Sequence, residues 1–265
     1  MQAKVSHGGN NHNPQNEVVE ILNPGGAADI LLVCDHASAH IPAAYADLGL
    51  PAAERQRHIA WDIGAAELTR TLSVRLDAAA ILARASRLVI DVNRDLAADN
   101  LIPTVSDGTV IPGNASLTPE ERRHRIASYY QPYHAAVDAR VRTMVGHGRV
   151  PLIIGVHSFT PVMNGVHRPW VVGLLWNRDH RLAHAFLAAF RRRGLMAGDN
   201  EPYSGRSLFY TMERHGAAHG LPQTTLEIRQ DEIGDPVGVA RWTRIVAEVI
   251  TEIANRPELQ ERRHY

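Results

Sequence analysis

A single cysteine in 265 residues leaves no internal disulfide, so Cys34 reads as a small apolar core residue of a protein kept in a reducing compartment. No apolar run approaches the length of a membrane span, and the first residues carry no apolar leader segment, so the cytoplasm is the expected compartment. Net charge is absent too. The 28 basic and 28 acidic residues cancel, which excludes a general pull toward nucleic acid or an anionic membrane. A charged ligand must then be met by a local cluster. There is no G-x-S-x-G elbow, and Cys34 belongs to a strand pattern rather than an exposed helix start, which disfavours a serine or cysteine nucleophile. Neither G-x-G-x-x-G nor G-x-x-x-x-G-K-[ST] occurs, so nucleotide binding lacks its usual signature. No Gly/Ser- or Pro-rich linker divides the chain, and one domain over 17–265 is expected after a polar tail, 1–16, that reads as disordered.

What is present is histidine, 15 in all, on a chain with an ordinary 45% of hydrophobic residues. Short apolar runs alternate with longer helical patterns. That alternation predicts βαβ units and a mostly parallel sheet covered on both faces. Strands are expected over 29–34, 79–83, 88–92, 152–156, 170–176 and 224–228. Apolar residues at three- and four-residue spacing predict helices over 54–76, 118–145, 180–193, 206–218 and 236–254, the second opened by the Thr118 cap and Pro119. The loop 101–117 has no period, and its length suggests that it lies over a site.

In such a sheet, ligands bind beyond the carboxyl ends of the strands. LLVCDH leaves Asp35 and His36 at one end, LVIDVNRD leaves Asp91, Asn93, Arg94 and Asp95, LIIGVHS leaves His157 and Ser158, and TTLEIRQDE leaves Glu227 and Arg229. Two histidines ending different strands can reach one ion, and zinc is the usual divalent metal for histidine with carboxylate. Asp62 in HIAWDIGA, or Glu67 five residues on, would be the third ligand, with Trp61 and Gly64 favouring Asp62 by suggesting burial there. Asp35 is a candidate to orient an imidazole from behind. Arg94, with Asn93 beside it, is suited to grip a substrate carboxylate, unless Asp91 or Asp95 claims it in a salt bridge. Glu227 is the candidate general base. Arg229 lies two residues on, on the same face, either as a substrate contact or as the ion-pair partner of Glu227. His215 and His219 stand four apart, and His215 is expected to act behind the metal ligands or against substrate.

Together these segments resemble the N-formylglutamate amidohydrolase family. The matching stretches are LLVCDHASAHIP, HIAWDIGA, SRLVIDVNRD, IPTVSDGTVIPGN, GVHSFTP, DNEPYSG and YTMERHGAAHGLPQTTLEIRQDEI, spread over roughly 29–254. The resemblance implies a three-layer αβα fold with a mixed, mostly parallel sheet, of the phosphorylase/hydrolase-like type shared by zinc carboxypeptidases, aspartoacylases and cell-wall amidases. It implies one divalent metal, zinc, on His36, Asp62 and His157, a carboxylate grip at Asn93 and Arg94, Glu227 as base, and a further substrate contact at Tyr203. The chain departs from the HxxE ligand pair of carboxypeptidases, since Ala39 follows His36 by three. The implied reaction is hydrolysis of N-formyl-L-glutamate, a small-molecule substrate, to formate and L-glutamate. An amidase for another N-acyl amino acid or a peptidoglycan-type peptide, and a non-catalytic binding protein of the same fold, are the rival readings.

Overall fold

The computed structural model describes residues 18–163 and 165–265; the expected tail, 1–16, lies outside the described residues. Its centre is a seven-stranded sheet. The strands are β1 (Val19–Leu22), β2 (Ile30–Cys34), β3 (Ala79–Ala83), β4 (Leu152–Phe159), β5 (Val172–Leu175), β6 (Ala197–Asp199) and β7 (Gln223–Arg229). They lie in the order β1-β3-β2-β4-β7-β5-β6. The central four, β3, β2, β4 and β7, run parallel, while β1 is antiparallel to β3, and β5 to β7. The carboxyl ends of β2, β4 and β7 therefore open side by side at one edge of the sheet.

Helices cover both faces. They are α1 (Ala65–Leu76), α2 (Pro119–Arg125), α3 (Gln131–Gly146), α4 (Arg181–Arg192), α5 (Tyr210–His215) and α6 (Pro236–Ile253). Alternate residues of β2 feed two cores, as the period of a strand requires. Leu32 and Cys34 pack with Leu68 of α1, Phe186 of α4 and Trp242 of α6. Leu31 and Val33 face the opposite side, toward Val137 of α3 and Met212 of α5. The fold is thus the expected three-layer αβα arrangement with a mixed, mostly parallel sheet. No helix among the described residues is long and apolar enough to cross a membrane.

Three expectations change. The run 88–92 is a turn rather than a strand, because its amides bond locally and to a loop: Val89 N to Ser86 O, and Asp91 N to Leu101 O. Its apolar side chains are buried, but in the second core beside the sheet. The helix expected over 54–76 is a single helical turn, Ala52–Arg55, then α1. Gly64 breaks it, with φ +81° and a backbone so close to Ile233 that a Cβ would stand 2.2 Å from that carbonyl oxygen. The helix expected over 206–218 shrinks to α5, which ends at Gly216, so His219 falls in a following 3-10 turn.

Candidate active site

His36 follows β2 by two residues, His157 lies within β4, and Asp62 sits in the turn that Gly64 allows before α1. The structure brings these three together: one ligand atom from each lies within 4.8 Å of the others, and all three side chains are buried. Glu67, the other candidate, is exposed and paired with Arg70. The backbone helps to hold Asp62 in place, through its own N–H to His36 O at 2.9 Å and Ser158 N–H to its Oδ2 at 3.3 Å.

The hydrogen bonds assign the imidazole tautomers. Asp91 accepts from Arg87 Nη2 at 2.7 Å and Asn93 N at 2.9 Å, so it is an ionised acceptor, and His36 Nε2, 2.7 Å from its Oδ1, is the donor. Asp35 likewise accepts from Tyr133 Oη at 2.7 Å and Thr211 Oγ1 at 2.8 Å, making His157 Nε2, at 2.9 Å, a donor. In neutral rings both Nδ1 atoms then carry lone pairs. Each points at Asp62 Oδ2, at 3.4 Å from His36 and 2.9 Å from His157.

Three electron-rich atoms converging in a buried place need a positive charge between them. Protonation of the imidazoles would supply it. Burial opposes a charge on His157, yet Asp35 and Asp62 lift its pKa well above the usual imidazole value. Burial and the Arg87 charge likewise oppose protonation of His36, and Asp91 with Asp62 overcome them. Burial would raise Asp62, but the two imidazoles hold it below the carboxylate range. Asp35 is hydrogen-bonded to the His157 imidazole rather than to its neighbour His36, whose ring is bonded by Asp91, a pairing the sequence did not reveal.

A cavity of about 280 Å³ opens over this cluster. Glu227, Asn93, Arg94 and Tyr203 all line it. Glu227 is 6% exposed and its Oε2 has no partner; burial pushes its carboxyl up to about 7, against the pull of the His157 charge. Asn93 Oδ1 accepts Thr211 N–H at 3.0 Å, which leaves its Nδ2 donors for the cavity. Arg94 Nε is buried without a hydrogen bond, 4.0 Å from Asp91 Oδ2, so the salt bridge that would have consumed it is loose. Tyr203 receives a hydrogen bond from Arg168 at 3.0 Å, and the guanidinium lies 4.7 Å from its ring centroid.

Two expected contacts are not at the cavity. Arg229 neither pairs with Glu227 nor lines the cavity: it lies at the end of β7, where Asp231 in the next turn holds it at 2.7 Å. His215 is buried behind the site, stacked on His134 with its Nε2 2.9 Å from His134 Nδ1. Arg87, His58, Ser106 and Asp107 line the cavity without having been anticipated. In an extended strand the Cα atoms of Arg87 and Asp91 would stand about 13 Å apart; the turn lets the Arg87 guanidinium reach the Asp91 carboxylate at 2.7 Å. Ser106 and Asp107 come from the loop 101–117, whose hairpin Val105–Val110 reaches the cavity as the loop's length suggested.

Comparison with known proteins agrees with this architecture. A gene product of Agrobacterium tumefaciens with a known crystal structure is 35% identical, with a TM-score of 0.87 over 90% of this chain and 95% of that one. N-formylglutamate amidohydrolase from Ralstonia eutropha, at 20% identity, has a TM-score of 0.64 over 90% of this chain and 97% of its own, a likeness of fold. No curated protein matches the chain. A family model described as N-formylglutamate amidohydrolase matches residues 28–234. Fold and match together make the protein an amidohydrolase, an enzyme that cleaves a carbon–nitrogen amide bond. More narrowly, the chain belongs to the N-formylglutamate amidohydrolase family.

Proposed function

We propose that the protein hydrolyses N-formyl-L-glutamate with one divalent metal, zinc, held by His36 Nδ1, His157 Nδ1 and Asp62. The convergence of both Nδ1 lone pairs on Asp62 Oδ2, with each Nε2 fixed from behind by a carboxylate, is the observation that carries this reading. Charge supports it. Asp35, Asp62, Asp91 and Glu227 are all buried, against the guanidiniums of Arg87 and Arg94, and a divalent cation restores the balance. Two nitrogens and one carboxylate with an open side also suit catalytic zinc. When bound, the ion supplies Lewis acidity to the acyl carbonyl and to an attacking water.

The chain's own residues do the rest. Glu227, with an unpartnered oxygen and a pKa near neutrality, takes the proton of the attacking water and passes it to the departing amine nitrogen. Arg94 holds a substrate carboxylate, with the Asn93 amide beside it. A cavity of about 280 Å³ fits a small N-acyl amino acid and is small for a peptidoglycan peptide. Formate release from N-formyl-L-glutamate tests the proposal: it is expected to occur and to stop on chelation. Release that survives chelation defeats the metal, and no release at all defeats the substrate.

A further inference from the structure

Between α2 and α3 the chain makes one turn of π-helix, Ile126–Tyr130. The buried positions along this long helix are Arg125, Tyr130, Tyr133, His134, Val137, Val141 and Met144. After Tyr130 the spacing suits an α-helix; the first step is five residues, as expected where a π-turn with its i→i+5 hydrogen bonds inserts one extra residue. An unbroken α-helix continuing from Arg125 would turn Tyr129 inward at that point instead, and Tyr129 is only half-buried. The π-turn therefore selects which aromatic side chains face the site.

Three of the selected residues end on site residues or the backbone beside them. Tyr130 Oη donates to Arg94 O at 2.9 Å, and His134 Nε2–H donates to Val92 O at 2.9 Å, so the carbonyls on both sides of Asn93 are held. Tyr133 Oη donates to Asp35 Oδ1 at 2.7 Å, and Asp35 Oδ2 in turn faces His157 Nε2. Burial pushes His134 down to about 3 and His215 to about 4, so both rings stay neutral. His134 can then donate to Val92 while its Nδ1 accepts from His215.

We infer that this helix face is a two-pronged positioning device: Tyr130 and His134 set the carboxylate-gripping turn at Asn93 and Arg94, while Tyr133 sets the metal-ligating ring of His157 through Asp35. The inference rests on the function proposed above. It assigns separate consequences to neighbouring residues of one helix, which a merely structural role would not produce. Tyr130→Phe and Tyr133→Phe each remove one oxygen and keep the packing, and thermal melts check that both variants fold.

At saturating zinc, Tyr130→Phe is expected to raise KM for N-formyl-L-glutamate by about 5-fold with kcat within about 2-fold, and to leave zinc affinity unchanged. Tyr133→Phe is expected to weaken zinc about 10-fold in chelator competition without substrate, and to leave KM at saturating zinc unchanged. This crossed pattern supports the inference. Equal effects of both variants on the same parameter, or no effect beyond a lowered Tm, overturn it. A wild-type protein that turns over no N-formyl-L-glutamate overturns the substrate reading alone: zinc affinity then decides, with a loss in Tyr133→Phe and none in Tyr130→Phe supporting the inference and equal affinities overturning it.

Discussion

Glu227 is the residue on which activity and stability pull in opposite directions. Its carboxyl is buried among the site's other charges with one oxygen unpartnered, and burial lifts its pKa from the ordinary 4.5 to about 7. Between those two values the unfolded chain has released a proton that the folded protein keeps, so the folded state binds more protons and stability falls as pH rises. Above about 7 the full cost of the buried charge is present. Glu227→Gln is therefore expected to raise the Tm of the metal-free protein at about pH 8 and to change it little at about pH 4.5. The same substitution removes the proposed proton carrier, and turnover should fall by about 100-fold or more. Melting curves at the two pH values and one rate measurement check both halves. A variant that is active, or one whose stability gain is larger in acid, contradicts the role assigned to this carboxylate.

At the scale of elements, the hairpin Val105–Val110 is a wall of the cavity held by side-chain contacts. Arg57 ties it down, donating to Asp107 Oδ2 at 2.7 Å and Thr109 Oγ1 at 2.8 Å while also bonding Glu54 at 2.6 Å. His58 Nε2 stands 3.4 Å from Asp107 Oδ2 in a geometry that makes no hydrogen bond, so Arg57 is the main latch. Arg57→Ala should loosen the hairpin, raise KM by about 3-fold with a smaller effect on kcat, and speed proteolytic cleavage within 104–111. Unchanged cleavage would show that the Glu54–Thr109 bond suffices. The sequence reveals elements unevenly for physical reasons. Strands β2, β3 and β4 are legible because continuous apolar runs mark strands buried on both faces, and β7 because Thr224, Thr225 and Ile228 are β-branched around Leu226. The run 88–92 looks the same and is not a strand: burial beside a sheet and burial within one leave the same composition. The helix after Thr118 is legible from its cap, but the π-turn at Ile126–Tyr130 shows only as a five-residue step in burial.

For the whole molecule, the site exists because three parallel strands end together, and that much follows from His36 and His157 each closing an apolar run and Glu227 standing near the end of a third strand. What crosses from one segment to another is harder to read. Asp91 on His36 and Tyr133 on Asp35 span 55 and 98 residues, and nothing local to either marks the pairing. The same long-range assembly would make the proposed metal and the fold a single equilibrium, because His36, Asp62 and His157, drawn from separate segments, meet only in the folded chain. Zinc at about 100 times its dissociation constant should add about 2.7 kcal/mol to the folded state. For a chain of this size that is a rise in Tm of roughly 5–10 °C, reversed by chelator. The chain's 15 histidines make a control necessary, since exposed ones can also take zinc. Asp62→Asn removes the one oxygen both rings face, and it should abolish most of the shift while leaving any contribution from surface histidines in place. An equal shift in wild type and variant would put the zinc elsewhere, and no shift in either would leave protons as the only cations that His36, Asp62 and His157 hold together.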